Sequence, residues 1–142
     1  MTRFIESPAV KKLCELTKES YLRYWDERNG GNVSVRLEAS EVEVYEDVKE
    51  VKRVLDLGFD ASTLAGYYYL VTGTGRYFRN VTNQPLLDLG LVRISEDGQK
   101  AELLWGFEDG GKPTSEFASH LMSHIERLKV NPNHKVVFHC HP

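Results

Sequence analysis

Cysteine is scarce in this 142-residue chain, which has two, Cys14 and Cys140, near opposite ends. They form no disulfide framework and no metal-binding spacing motif, so reduced thiols in a cytoplasm are the simplest interpretation. Basic charge is not in excess, because 18 Lys and Arg stand against 21 Asp and Glu. The net charge of −3 therefore argues against nucleic acid as a partner. No apolar run approaches the roughly 18 residues of a membrane span, and the N-terminus lacks the apolar segment of a signal peptide.

The overall amino-acid composition is typical of an ordinary soluble globular protein. Hydrophobic residues make up 41% of the chain and charged residues 27%. The length suits one hydrophobic core. We therefore expect a single domain over residues 1–142.

Two long helices are predicted from apolar residues at helical spacing. The first opens at Ser7-Pro8, since serine is a good N-cap and proline suits the first helical position. The second opens at Pro113-Thr114-Ser115-Glu116, with Ser115 as N-cap and Glu116 in the first turn. The apolar stripes are Val10, Leu13, Cys14, Thr17, Tyr21, Tyr24 and Trp25 in the first helix, and Phe117, Leu121, Ile125 and Leu128 in the second.

Strands are predicted where β-branched and aromatic residues cluster. Glu96-Asp97-Gly98 predicts a hairpin turn between two of them, whereas Val48 to Leu55 suggests a short amphipathic helix. The fold class is therefore α/β, with a central, mostly antiparallel sheet of about five strands flanked by the two long helices. The predicted strands are 33–37, 67–71, 89–95, 101–107 and the segment from Lys135.

The last strand carries a His-x-His motif. His139 and His141 share a strand face because side chains alternate, and Cys140 points the other way. Two imidazoles on one face can chelate a metal ion, and imidazole suits zinc. The alternative is two surface histidines at a frayed chain end.

Three turns are rich in hydrogen-bond donors. Asn29-Gly30-Gly31-Asn32 and Thr72-Gly73-Thr74-Gly75 combine permissive backbone with amides or hydroxyls, which can form an anion site or a plain turn. Thr114-Ser115-Glu116 lies at a helix start, where free N–H groups suit a phosphate, although simple capping explains the same residues. Glu116 is also a candidate proton-transfer group.

His120 and His124 follow Glu116 at intervals of four residues, so the three share a rough helix face. This spacing can bind metal, but we favour a packing, supporting or solvated role. His134 follows a turn and is expected to be solvated.

Four segments, taken in order, resemble the class II aldolase and epimerase family of zinc-dependent sugar-phosphate enzymes. Each segment is short, but together they spread over most of the chain. They are Trp25-Asp26-Glu27-Arg28-Asn29-Gly30-Gly31-Asn32, Val71 to Val81 with Thr72-Gly73-Thr74-Gly75, Leu103-Leu104-Trp105-Gly106-Phe107, and Pro113-Thr114-Ser115-Glu116.

The resemblance implies a zinc ion held by three histidines, of which His139 and His141 match two. The third lies beyond Pro142 in the family, whose chains are considerably longer, so we expect an N-terminal fragment, truncated within the fold. The catalytic carboxylate matches Glu116, and the phosphate-binding positions match Asn29, Asn32, Thr74 and Ser115.

The resemblance also implies a sugar phosphate substrate and a homotetramer. Aldol cleavage is the favoured activity. A sugar-phosphate 4-epimerase shares the zinc chemistry, and a non-catalytic metal or sugar-phosphate binding module is an alternative of a different class.

Overall fold

The computed structural model describes residues 3–22, 31–73 and 84–139. Its regular elements are α-helices and β-strands, with 3-10 turns at Phe4–Glu6, Glu46–Val48 and Ser62–Leu64. The helices are α1 (Pro8–Leu22), α2 (Ala39–Val42), α3 (Pro85–Asp88) and α4 (Phe117–Val130). The strands are β1 (Asn32–Leu37), β2 (Arg53–Asp56), β3 (Tyr68–Thr72), β4 (Leu89–Ile94), β5 (Lys100–Gly106) and β6 (Val136–His139).

The six strands form one antiparallel sheet in the order β2-β5-β4-β3-β1-β6. This confirms the predicted α/β class with a mostly antiparallel sheet flanked by helices. Within the described residues, no helix is long and apolar enough to cross a membrane.

The helix predicted between Val48 and Leu55 is wrong, because Arg53–Asp56 forms strand β2 at the edge of the sheet. Burial in this segment alternates with a period of two. Arg53 and Leu55 are partly buried against the sheet, and Val54 and Asp56 are exposed. An edge strand buries only one face, so its sparse apolar residues also fitted helical spacing.

Apolar residues cover both faces of the sheet. The cluster on one face includes Val10 and Leu13 of α1, and the cluster on the other includes Phe117 and Leu121 of α4. The sheet is therefore the middle layer between the two long helices, as expected from layer packing.

Helix starts match the predictions in one case and differ in the other. Ser7 caps α1, since the Val10 N–H donates to its Oγ at 3.3 Å. In α4 the N-cap residue is Glu116 rather than Ser115. Thr114 supplies the capping contacts instead, because its carbonyl accepts the Phe117 N–H at 2.9 Å and its Oγ1 accepts the Glu116 N–H at 3.4 Å. The part of the predicted α1 stripe at Tyr24 and Trp25 lies outside the described residues.

Candidate active site

Antiparallel pairing places the start of β1 beside the ends of β3 and β6. These strand ends form one edge of the sheet, which is distinct from the edge strand β2. Asn32 lies opposite His139 in the register of β1 with β6. On the other side of β1, the Val33 N–H donates to Thr72 Oγ1 at 3.1 Å. Three of the segments singled out in the sequence therefore meet here.

The start of α4 joins the same edge through the backbone. The Thr114 N–H donates to the Thr72 carbonyl at 2.8 Å, and Gly73 forms an isolated bridge with Pro113. These contacts hold the segment before α4 against the end of β3. Ser115 and Glu116 follow directly, and both are exposed.

The central contact of the site joins Asn32 to Glu116. The Asn32 Nδ2 donates to Glu116 Oε2 at 2.8 Å, across 84 residues of sequence. Asn32 is only 4% exposed, so its amide is a fixed part of the protein interior. The carboxylate of Glu116 is thus held from inside while the residue faces solvent.

Two buried histidines lie behind this contact. His120 is 3% exposed and His124 is 2% exposed. Ser34 Oγ lies 2.7 Å from His120 Nδ1 and 2.8 Å from His124 Nε2. His120 Nε2 is also hydrogen-bonded to Asn32 Oδ1. Both ring nitrogens of His120 are therefore engaged by protein groups, which supports the predicted packing and supporting role over a metal role.

Burial, together with the electrostatic influence of His120 and Arg36, lowers the pKa of His124 to about 4. Arg36 lies over the Tyr67 ring at 5.4 Å and donates to the Pro132 carbonyl. The Tyr69 ring lies 4.7 Å from the His124 ring, and burial raises the pKa of its hydroxyl. His124 is therefore neutral at physiological pH.

We expect the free energy of unfolding to fall on acidification because of His124. The unfolded chain takes up a proton near pH 6.5, whereas the folded chain resists it until about pH 4. This contribution is complete above pH 6.5 and is lost as the pH falls towards 4, by about 3 kcal/mol in all. Urea unfolding at several pH values, compared between the native chain and His124→Gln, measures it. All other titrating groups are shared, so equal pH slopes in the two chains would contradict the assignment.

The structure describes only some of the predicted site residues. Asn32 and Glu116 are in contact, and the backbone of His139 lies beside Asn32. Ser115 precedes Glu116 at the start of α4 and lines a cavity with Leu55 and Asp56 of β2, on the side of the sheet away from β1. Asn29, Thr74 and His141 lie outside the described residues. Among those that are described, no group of three His, Cys, Asp or Glu side chains is arranged to hold a metal ion.

Two findings differ from the sequence predictions. His134 is half-buried rather than solvated, and among the described residues its Nδ1 is a buried atom without a hydrogen-bond partner. Ser34 was missed as a site residue. The available signal was Asn32-x-Ser34-x-Arg36, three polar residues sharing one face of an otherwise apolar strand.

A comparison with known protein families gives a match over most of the chain. Residues 11–142 match the family described as the class II aldolase and adducin N-terminal domain. The chain belongs to this family.

The curated relatives that the chain matches include rhamnulose-1-phosphate aldolases. It is 48% identical over 137 residues to a rhamnulose-1-phosphate aldolase of Listeria innocua, covering 96% of this chain and 50% of that protein. It is 41% identical to a rhamnulose-1-phosphate aldolase of Yersinia pseudotuberculosis, covering 99% of this chain and 52% of that one. The chain thus spans about half the length of the curated relatives it matches.

A solved structure shares the fold. The crystal structure of a sugar-phosphate aldolase from Thermotoga maritima matches with a TM-score of 0.77 and 33% identity. The match covers 94% of this chain and 53% of that one. The sheet-edge site therefore lies within a fold that a sugar-phosphate aldolase uses.

Proposed function

We propose that this chain carries the acid–base and phosphate-binding part of an aldolase active site. The reaction is the reversible cleavage of L-rhamnulose 1-phosphate to dihydroxyacetone phosphate and L-lactaldehyde. The observation that supports this most directly is the Asn32–Glu116 contact at 2.8 Å, which joins two of the four family-like segments at one sheet edge. The choice of substrate rests on the similarity to rhamnulose-1-phosphate aldolases.

Glu116 is the proposed proton carrier. Carbon–carbon bond formation in the synthetic direction requires removal of a proton from the carbon next to a carbonyl, and a carboxylate can take it and return it. The Asn32 Nδ2 holds Oε2, which fixes the carboxylate while its remaining lone pairs stay available. Orientation of this kind is worth much in catalysis, because small misplacements slow proton transfer.

Asn29, Asn32, Thr74 and Ser115 are the proposed phosphate-binding residues. Ser115 is exposed beside the start of α4, a 14-residue helix whose N-terminus favours negative charge. Thr74 follows Gly73 in the sequence, and Gly73 is bridged to Pro113. Asn32 keeps a second Nδ2 hydrogen beyond the one given to Glu116.

His139 and His141 are the proposed zinc ligands. The backbone of His139 lies opposite Asn32, so the ligand strand ends beside the proposed carboxylate. Neutral imidazoles suit zinc, which when bound supplies a Lewis acid for the substrate carbonyl. We further propose one domain over residues 1–142, a cytoplasmic location and a homotetramer for the whole enzyme.

We expect this chain alone to bind zinc weakly. Catalytic zinc sites use three protein ligands and water, whereas His139 and His141 supply two and His120 has both ring nitrogens engaged. Calorimetric titration of zinc measures the affinity. A tight one-to-one complex that survives Cys140→Ala and is lost in His139→Ala would contradict this expectation.

An aldol-cleavage assay tests the function itself. The assay uses L-rhamnulose 1-phosphate and zinc, on this chain and on a longer chain that continues beyond Pro142. Cleavage by the longer chain supports the aldolase. Interconversion of epimers without cleavage would favour the 4-epimerase, and substrate binding without turnover would favour the non-catalytic module.

A further inference from the structure

We propose that Ser34, His120 and His124 are positioning residues that fix Glu116 through the side chain of Asn32. This inference rests on the proposed function for its catalytic meaning. Its structural content is a continuous line of hydrogen bonds from the buried core to the exposed carboxylate.

The proton positions along this line follow from two groups whose donor and acceptor atoms are fixed, the Glu116 carboxylate and the Asn32 amide. A carboxylate only accepts, so the Asn32 amide must turn its Nδ2 towards Glu116. Its Oδ1 then faces His120 Nε2, which must carry a hydrogen in order to donate. In the neutral ring this leaves His120 Nδ1 as an acceptor.

The remaining steps are set by the hydroxyl of Ser34. Its single hydrogen is donated to His120 Nδ1 at 2.7 Å. The oxygen accepts from His124 Nε2–H at 2.8 Å, and the lowered pKa of His124 is consistent with this neutral form. Every donor along the line therefore points from the core towards Glu116, an arrangement in which neighbouring hydrogen bonds polarise and strengthen one another.

The chain of contacts also explains why four polar side chains occupy the buried face between β1 and α4. Asn32, Ser34, His120 and His124 are at most 4% exposed, and buried polar groups without partners are costly. A side-chain amide rotates freely about its last torsion unless its oxygen and nitrogen have distinct partners. His120 and Glu116 supply those distinct partners, so His120 determines which way Asn32 points.

Two substitutions at His120 separate its two contacts. In His120→Gln the amide nitrogen can take the place of Nε2 and keep the donation to Asn32. In His120→Asn the shorter side chain reaches only towards Ser34. Thermal unfolding confirms that both variants fold before they are compared.

Nuclear magnetic resonance of the isotope-labelled chain gives readouts that need no substrate. Long-range proton–nitrogen spectra should show His120 and His124 as Nε2–H tautomers. The Asn32 amide protons should exchange slowly and show a through-space contact with Glu116 Hγ, in the native chain and in His120→Gln. In His120→Asn this contact should be lost. An Nδ1–H tautomer of His120, or an unchanged Asn32–Glu116 contact in His120→Asn, would overturn the proposal.

Turnover supplies the catalytic readout on whichever chain cleaves the substrate. We expect kcat to fall about tenfold to a hundredfold in His120→Asn, the usual effect of losing one hydrogen bond to a charged group, and KM to rise as well because Asn32 is also a proposed phosphate-binding residue. His120→Gln should retain most of the rate, and equal losses in both variants would overturn the proposal. Failure to find any cleavage would count against the proposed function alone, because the tautomers and the Asn32–Glu116 contact are measured without it.

Discussion

Glu116→Gln is expected to lower the kcat of aldol cleavage by about 10²- to 10⁴-fold, the usual contribution of a general acid–base group. Glutamine keeps the size of the side chain and an oxygen that accepts from the Asn32 Nδ2, but it cannot carry the proton. KM should change little, since phosphate binding is assigned to other residues. Steady-state kinetics with zinc, on the chain that shows cleavage, measures both constants.

Glu126→Gln is the matched control. It makes the same substitution on the same helix, and Glu126 is exposed in a surface pair with Lys129 at 3.2 Å. Such pairs contribute little, so kcat and stability should both stay near their original values. An unchanged rate in Glu116→Gln would reduce Glu116 to the N-cap residue of α4.

Gly106→Ala is expected to cause a large loss of stability. Gly106 has φ +87°, and a Cβ there would lie 2.0 Å from the backbone oxygen of Leu89. That oxygen accepts the Phe107 N–H at 2.9 Å in the sheet core and cannot move aside easily. We expect a cost of about 1–2 kcal/mol for the left-handed backbone and about 1–3 kcal/mol for the overlap, measured by urea unfolding.

Gly66→Ala separates these two costs. Gly66 has φ +80°, but a Cβ at this position would meet nothing within 4 Å. It should therefore lose only the conformational part, about 1–2 kcal/mol. Equal losses at the two positions would show that backbone conformation, and not the close approach of β4 and β5, accounts for the effect.

The main elements of the fold could be predicted because their signals are local. Ser7-Pro8 caps a helix, and Glu96-Asp97-Gly98 turns a hairpin, whatever the rest of the chain does. Strand β2 was missed because it is an edge strand. Its assignment depends on pairing with β5, more than 40 residues later, and such pairing leaves little trace in the segment itself.

In the candidate site, too, features with a local signal were predicted and features that depend on distant contacts were not. Glu116 and Asn32 were predicted from their motifs, but their contact across 84 residues was not. Ser34 was missed because the polar strand face Asn32-x-Ser34-x-Arg36 has no evident meaning until the helix that packs on it is known. The N-cap of α4 shifted from Ser115 to Glu116 because Thr114 is tied to β3 by its N–H. Tertiary contacts therefore decided what local propensity left open.

Three of the family-like segments are proposed to form one sugar-phosphate site where β1 begins. Titration of dihydroxyacetone phosphate into the ¹⁵N-labelled chain tests it most directly. We expect the backbone amide shifts to concentrate at Asn32, Gly73 and Ser115. The positively charged residues Arg93 and Lys100 lie at the other end of the sheet from this site. Arg93 pairs with Tyr68, whereas Thr72, at the opposite end of β3, lies at the site. Shifts concentrated at Arg93 and Lys100, with none at Asn32 or Ser115, would contradict this proposal.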